Sequence, residues 1–130
     1  LTEDSNMTVS EWLDKWLTEY LPRTVRPQTV DRYRRIVNTY IRPYIGRKKL
    51  AFLSANEVQR MYVTLKKSGR IKKHPKYGYE LADNTIIDVH GTLHRALEIA
   101  VNNHLIPRNP TKKTKRPKKK ANSHNEIWAV

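Results

Sequence analysis

Four stretches of this chain carry apolar residues three and four positions apart, the spacing that lays a single stripe along one side of an α-helix. A chain patterned this way satisfies its stripes by packing them on one another, which predicts an all-α fold built as a small helical bundle. The first helix is predicted over residues 9–21. Thr8 and Glu11 have the spacing of a capping box, and Val9, Trp12, Leu13, Trp16, Leu17 and Tyr20 form the stripe before Pro22 closes it. The second is predicted over 27–40, with Pro27 in the first turn, where no N–H is needed. Its stripe is Val30, Tyr33, Val37, Tyr40 and Ile41, and Pro43 and Gly46 are expected to end it.

A second capping box, Ser54 with Glu57, starts the third helix, which buries Val58, Met61, Tyr62 and Leu65 and stops near Lys66, Lys67 and Gly69. The fourth is predicted over 83–103, capped by Asp83, with Ile86, Val89, Leu93, Leu97, Ala100 and Val101 inward. Between the third and fourth, residues 68–81 hold Gly69, Pro75, Gly78, Tyr77 and Tyr79. This reads as a flexible loop or a short β-hairpin, longer than most connections in a compact domain. After Pro110 the chain changes character. Residues 111–120 contain only Lys, Arg, Thr and Pro, cannot bury apolar surface, and are expected to be extended. Three parts follow: a tail over 1–7, a helical domain over 8–110, and a basic linker over 111–130. The linker's end, with Ile127 and Trp128, reads as the start of a further domain or as a tail seeking a partner.

Charge narrows the function. Lys and Arg number 26 against 12 Asp and Glu, a net charge of +14 with a pI near 10.2. Such an excess marks nucleic-acid binding more than loose attachment to acidic surfaces, because it is segregated. Arg23, Arg26, Arg32, Arg34 and Arg35 gather at the start and on the exposed face of the second helix, and Arg47, Lys48 and Lys49 follow it. Lys72, Lys73 and Lys76 lie in the central loop, and Lys112, Lys113, Lys115, Arg116, Lys118, Lys119 and Lys120 fill the tail. Charge gives affinity; reading bases needs side chains that fit groove edges. Gln28, Thr29, Arg32 and Arg35 offer these on the second helix, and Asn84, Thr85, Asp88, Thr92 and Arg95 on the fourth. Gly91 either permits close approach of a backbone or is tolerated for helix packing.

Other chemistries find little support. Cysteine is absent, which excludes disulfides and thiolate metal sites and fits a reducing cytoplasm. No apolar run reaches the ~20 residues of a membrane span, and the polar start is not a signal peptide. His90 and His94 have metal-binding spacing, but Gly91 stands where a zinc protease has Glu and no third ligand is evident. A phosphate contact or a plain surface role suits these histidines better. Most of the seven tyrosines fall on apolar stripes, where core packing explains them. No metal, cofactor or catalytic set is expected.

The order of these motifs resembles the core-binding domain of tyrosine recombinases, the phage-integrase family. Thr8, Val9, Ser10, Glu11, Trp12 and Leu13 with Trp16 resemble its first helix. Arg26, Pro27, Gln28, Thr29 and Val30 with Tyr33 resemble its second. Ile41, Arg42, Pro43, Tyr44, Ile45 and Gly46 with Leu50 and Leu53 resemble the connection that follows. Thr85 onward, through Leu93, Ala96, Leu97, Ala100 and Val101 to Arg108, Asn109 and Pro110, resembles its last helix and exit. The likeness spans residues 8–117. It implies a four-helix, SAM-like bundle that forms half of a clamp on double-stranded DNA at the core site of a recombinase, in the cytoplasm of a bacterium and encoded by it or by a phage. It implies base or backbone contacts from Arg26, Gln28, Thr29, Arg32 and Arg35, and from Asn84, Thr85, Thr92 and Arg95. The basic run with Lys112, Lys113, Lys115, Arg116 and Lys118 corresponds to the interdomain linker. Catalysis would come from a C-terminal domain that this sequence lacks: no His here is followed three residues later by Arg. Other protomers of the recombinase are implied as partners on DNA. The competing readings are a different small helical nucleic-acid binder, RNA-binding or nucleoid-like, and a protein-interaction module whose basic tail docks on an acidic partner.

Overall fold

The computed structural model describes residues 6–117, so the expectations placed on Lys118 and on Ile127 and Trp128 lie outside the described residues. The predicted bundle is present, with four helical rods and no strand among the described residues. Helix α1 (Val9–Lys15) begins at the expected capping box: the Thr8 hydroxyl accepts from the Glu11 N–H at 3.1 Å, and the Glu11 carboxylate accepts from the Thr8 N–H at 3.0 Å. It runs on through a π-helical turn (Trp16–Tyr20) into a 3-10 turn (Leu21–Arg23). Helix α2 (Pro27–Ile36) likewise continues through a π turn (Val37–Ile41) into α3 (Arg42–Ile45). Ser54 caps α4 (Ala55–Ser68) by the second capping box, and α5 (Asp83–Asn102) is the long final rod.

The stripes read from sequence form one core. Trp12, Leu13, Trp16, Val37, Ile41, Val58, Leu65, Val89, Leu93 and Leu97 are essentially fully buried. Trp12 spans it, because its indole N–H donates to the Ala96 carbonyl of α5 at 2.9 Å. A buried indole N–H without that acceptor would cost about 1–3 kcal/mol. Backbone bonds from Val9 N–H to Lys48 O (2.8 Å) and from Leu50 N–H to Met7 O (2.9 Å) tie the start of α1 to the segment between α3 and α4.

Three expectations need correction. Pro43 does not end the second helix. The Arg42 N–H reaches back five residues to Val37 O, and this widened turn lets Pro43 sit in the first turn of α3, where its missing N–H leaves no gap. The same arrangement precedes Pro22, where the Leu21 N–H bonds Trp16 O. Asp83 is not a cap. Ala82 holds that position without a side-chain bond, and the Asp83 carboxylate pairs with Lys66 Nζ at 2.9 Å. Nor does the chain leave the bundle extended from Thr111. Pro110–Lys113 is a 3-10 turn, and Thr111 is only 1% exposed.

The reason for the last correction lies in Asn109, itself buried. Its side-chain oxygen accepts from the Thr111 N–H (3.0 Å) and hydroxyl (2.6 Å), while its amide donates to His94 O and to Glu98 Oε1, both at 3.0 Å. Gln59 of α4 then clasps the backbone of Lys115, accepting from its N–H at 2.6 Å and donating to its carbonyl at 3.1 Å. The connection between α4 and α5 is hairpin-like, with paired backbone bonds between His74 and Gly78 at 2.7 and 2.9 Å. No helix among the described residues is long and apolar enough to cross a membrane.

Candidate nucleic-acid interface

Helix α5 buries one side, so its opposite side is fixed by the helical repeat. Asn84, Asp88, Gly91 and Arg95 follow each other at intervals of four, three and four, and all are exposed. On α2 the exposed side is drawn by Gln28, Arg32 and Arg35 at the same kind of spacing, with Arg26 exposed at the residue just before the helix. The two helices pack side by side, and their polar sides meet: Arg32 Nη2 lies 3.3 Å from Asp88 Oδ1. Both side chains of this pair are 50% exposed. A surface pair of this kind is worth only about 0–1 kcal/mol, so it orients Arg32 without locking it.

Tyr33 organises the centre of this surface. Its ring meets Trp16 of the core edge-on at a centroid distance of 5.7 Å. The guanidinium groups of Arg32 and Arg95 lie 5.7 and 5.8 Å from the same ring, and Arg95 Nη1 donates to the Tyr33 hydroxyl at 3.3 Å. Two arginines from two helices are therefore held by one half-buried aromatic that is itself seated on the core. Among the described residues, no ion pair involves Arg26, Arg35 or Arg95, whereas Arg34 is paired with Asp31 and Arg42 with Asp14.

The sequence-based candidates divide accordingly. Arg26, Gln28, Arg32, Arg35, Asn84 and Arg95 are exposed on α2 and α5 or at their starts, and Thr29 and Thr85 are half-buried. Thr92 is misplaced. It is 1% exposed and its hydroxyl donates to Asp88 O at 2.7 Å, because it shares the inward side with Val89, Leu93 and Ala96. Lys112, Lys113, Lys115 and Arg116 are exposed, but on the segment clasped by Asn109 and Gln59, and Lys112 pairs with Glu98 at 3.2 Å. Tyr33 was hidden from sequence reasoning by its place on an apolar stripe. Asp88, read there as one polar residue among several, gains its weight from the facing Arg32.

His90 and His94 are engaged by neighbouring side chains. No group of three or more His, Asp or Glu able to hold a metal occurs among the described residues. His90 Nδ1 bonds the Tyr62 hydroxyl at 2.8 Å, His94 Nδ1 bonds the Thr111 hydroxyl at 2.8 Å, and the two rings stack at 5.9 Å. Burial, with the nearby charges of Arg116 and His94, pushes the His90 pKa down to about 4, so it stays neutral.

Residues 8–66 match the family model described as the phage integrase N-terminal SAM-like domain. The fold is similar to the solution structure of an integrase-like domain from Bacillus cereus, with 28% identity over 91% of this chain and 90% of that one and a TM-score of 0.72. It is also similar to a phage integrase SAM-like domain from Moorella thermoacetica, with 28% identity over 96% and 97% of the two chains and a TM-score of 0.69. A fragment from Clostridium leptum shares the fold at 18% identity, over 87% and 91% of the chains, with a TM-score of 0.62. No curated protein sequence matches the chain.

Proposed function

We propose that this chain, whose bundle is an N-terminal SAM-like domain of the phage-integrase kind, binds duplex DNA across the joined exposed sides of α2 and α5. The observation that carries this reading is the continuous stripe Asn84, Asp88, Gly91 and Arg95 laid against Gln28, Arg32 and Arg35 and bridged by Arg32 and Asp88. A helix fits the major groove, and these residue types match what its edges offer: arginine for guanine, asparagine and glutamine for adenine, and a carboxylate for the cytosine amino group. Arg26 and Arg35, with no acidic partner among the described residues, suit phosphates.

The bound site is the core site of a site-specific recombinase, where the domain forms half of a clamp and other protomers assemble beside it. Strand cleavage belongs to a separate catalytic domain of the recombinase, and the work is cytoplasmic, in integration or excision of a mobile element. A gel-shift titration tests the reading, with a candidate attachment site, a scrambled duplex and a folded RNA compared at several salt concentrations. The expected result is duplex binding that favours the attachment site and whose affinity weakens steeply with salt, because counterion release gains less as bulk salt rises. Absence of duplex binding at low salt overturns it, and a preference for the RNA replaces DNA as the ligand.

A further inference from the structure

Between α4 and α5 the chain builds a projecting hairpin with an unusual surface. Arg70, Lys72, Lys73 and Lys76 fall within seven residues that contain no acid. Ile71 is 74% exposed, and Tyr77 and Tyr79 are each 50% exposed. The turn is nevertheless well held. His74 and Gly78 exchange two backbone bonds, and the Arg70 N–H donates to Tyr79 O at 3.0 Å. The His74 ring accepts from the N–H groups of Lys76 and Tyr77 at 3.0 and 3.1 Å. Gly78 has φ +62°, a conformation glycine adopts without the strain a Cβ would add.

The base is anchored as firmly. Leu81 is buried and its N–H donates to Lys66 O at 3.1 Å. Lys66 Nζ lies 2.9 Å from both Glu80 and Asp83, the two acids nearest the hairpin, and so holds both at its base. No ion pair among the described residues involves Arg70, Lys72, Lys73 or Lys76. Arg70 and Lys76 instead flank the Tyr77 ring, at 5.9 and 5.3 Å from its centroid. The fold thus spends backbone bonds and a buried anchor on displaying like charges and apolar side chains together. That arrangement is unfavourable in the free chain and becomes favourable against a polyanion with apolar sugar edges.

We infer that this hairpin is a second nucleic-acid contact, which grips the phosphate backbone of the duplex beyond the segment covered by α2 and α5. The inference rests on the DNA-binding reading above. Placement supports it, since Leu81 leads directly into α5 one turn before Asn84 opens the exposed stripe. The five residues from Leu81 to Lys76 reach at most about 17 Å, the rise of about five base pairs.

The test compares the whole chain with a Lys72→Ser, Lys73→Ser, Lys76→Ser variant, binding a random-sequence duplex between about 50 and 200 mM salt. These side chains make no core contact, and circular dichroism checks that helix content is unchanged. The slope of log affinity against log salt should become shallower by about 2–3, since each phosphate contact contributes roughly 0.9. An Arg35→Ala control, which removes a proposed phosphate contact outside the hairpin, should weaken binding while leaving the hairpin's share of the slope in place. Wild-type binding with an unchanged slope in the triple variant overturns the hairpin contact alone. Failure of the wild type to bind any duplex overturns both readings. Concentration-dependent self-association that the triple variant abolishes, with the DNA slope unaffected, would make the hairpin a protein contact and also overturn the inference.

Discussion

Gly91 sits in the interior of α5, where glycine is worse than alanine by about 0.5–1 kcal/mol. Among the described residues no atom would meet a Cβ there within 4 Å, so packing inside the bundle does not require it. An exposed glycine with open space around it leaves room for a nucleic-acid backbone to approach. Gly91→Ala should therefore raise thermal stability while lowering affinity for duplex DNA. A variant that is more stable and binds equally well would show that the groove does not come close at this point. Arg32→Ala should weaken binding to a specific site by about 1–3 kcal/mol, the scale of one good base contact, with little change in unfolding midpoint because the Asp88 pair is exposed. Anisotropy titrations against cognate and scrambled duplexes read this, and equal losses on both would reduce Arg32 to a phosphate contact. Thr92 shows where residue-level reading from sequence stops. Its polar side chain suggested the outer face, yet its phase along α5 places it inward, and helix phase decides.

Two elements were altered by bonds that no composition argument would foresee. Helical periodicity located α1, α2, α4 and α5 well, because apolar stripes and capping boxes are local signals. The π turns before Pro22 and Pro43 are not local in that sense: one residue is absorbed so that the buried stripe can stay in phase around a proline. The exit segment, residues 110–117, departs from what its composition suggests for a related reason. Its composition is that of a linker, and only the buried side chain of Asn109 and the amide of Gln59, far apart in sequence, hold it on α4 and α5.

The same corner of the fold should respond to pH. His90 has a folded pKa near 4, below its ordinary 6.5, so the unfolded chain takes up the proton first. The stability this neutral imidazole contributes is complete above about pH 6.5 and is lost as pH falls toward 4. Its surroundings are the Tyr62 hydroxyl, the stacked His94 and the positive charge of Arg116. Glu57 and Glu98, held low by Lys48 and by Asn109 respectively, lose their contributions only below the ordinary carboxylate range. Urea midpoints should fall between pH 7 and pH 5 in the wild type and much less in His90→Gln. Parallel pH profiles for the two proteins would contradict this assignment.

The molecule as a whole is a helical bundle whose core-seated Tyr33 holds two arginines at the surface, flanked by a basic hairpin and a clasped basic exit. The fold class was legible because four stripes leave few ways to pack, and the charge excess made a nucleic-acid ligand the first expectation. The choice of surface needed three dimensions, since the charge is spread over α2, the hairpin and the exit segment alike. The most direct test is an amide chemical-shift titration of the 15.4 kDa chain with duplex DNA. The predicted result is that the largest changes fall in residues 26–35 and 84–95. Changes confined to residues 50–52 and 106–110, with none in residues 26–35 and 84–95, would contradict the account.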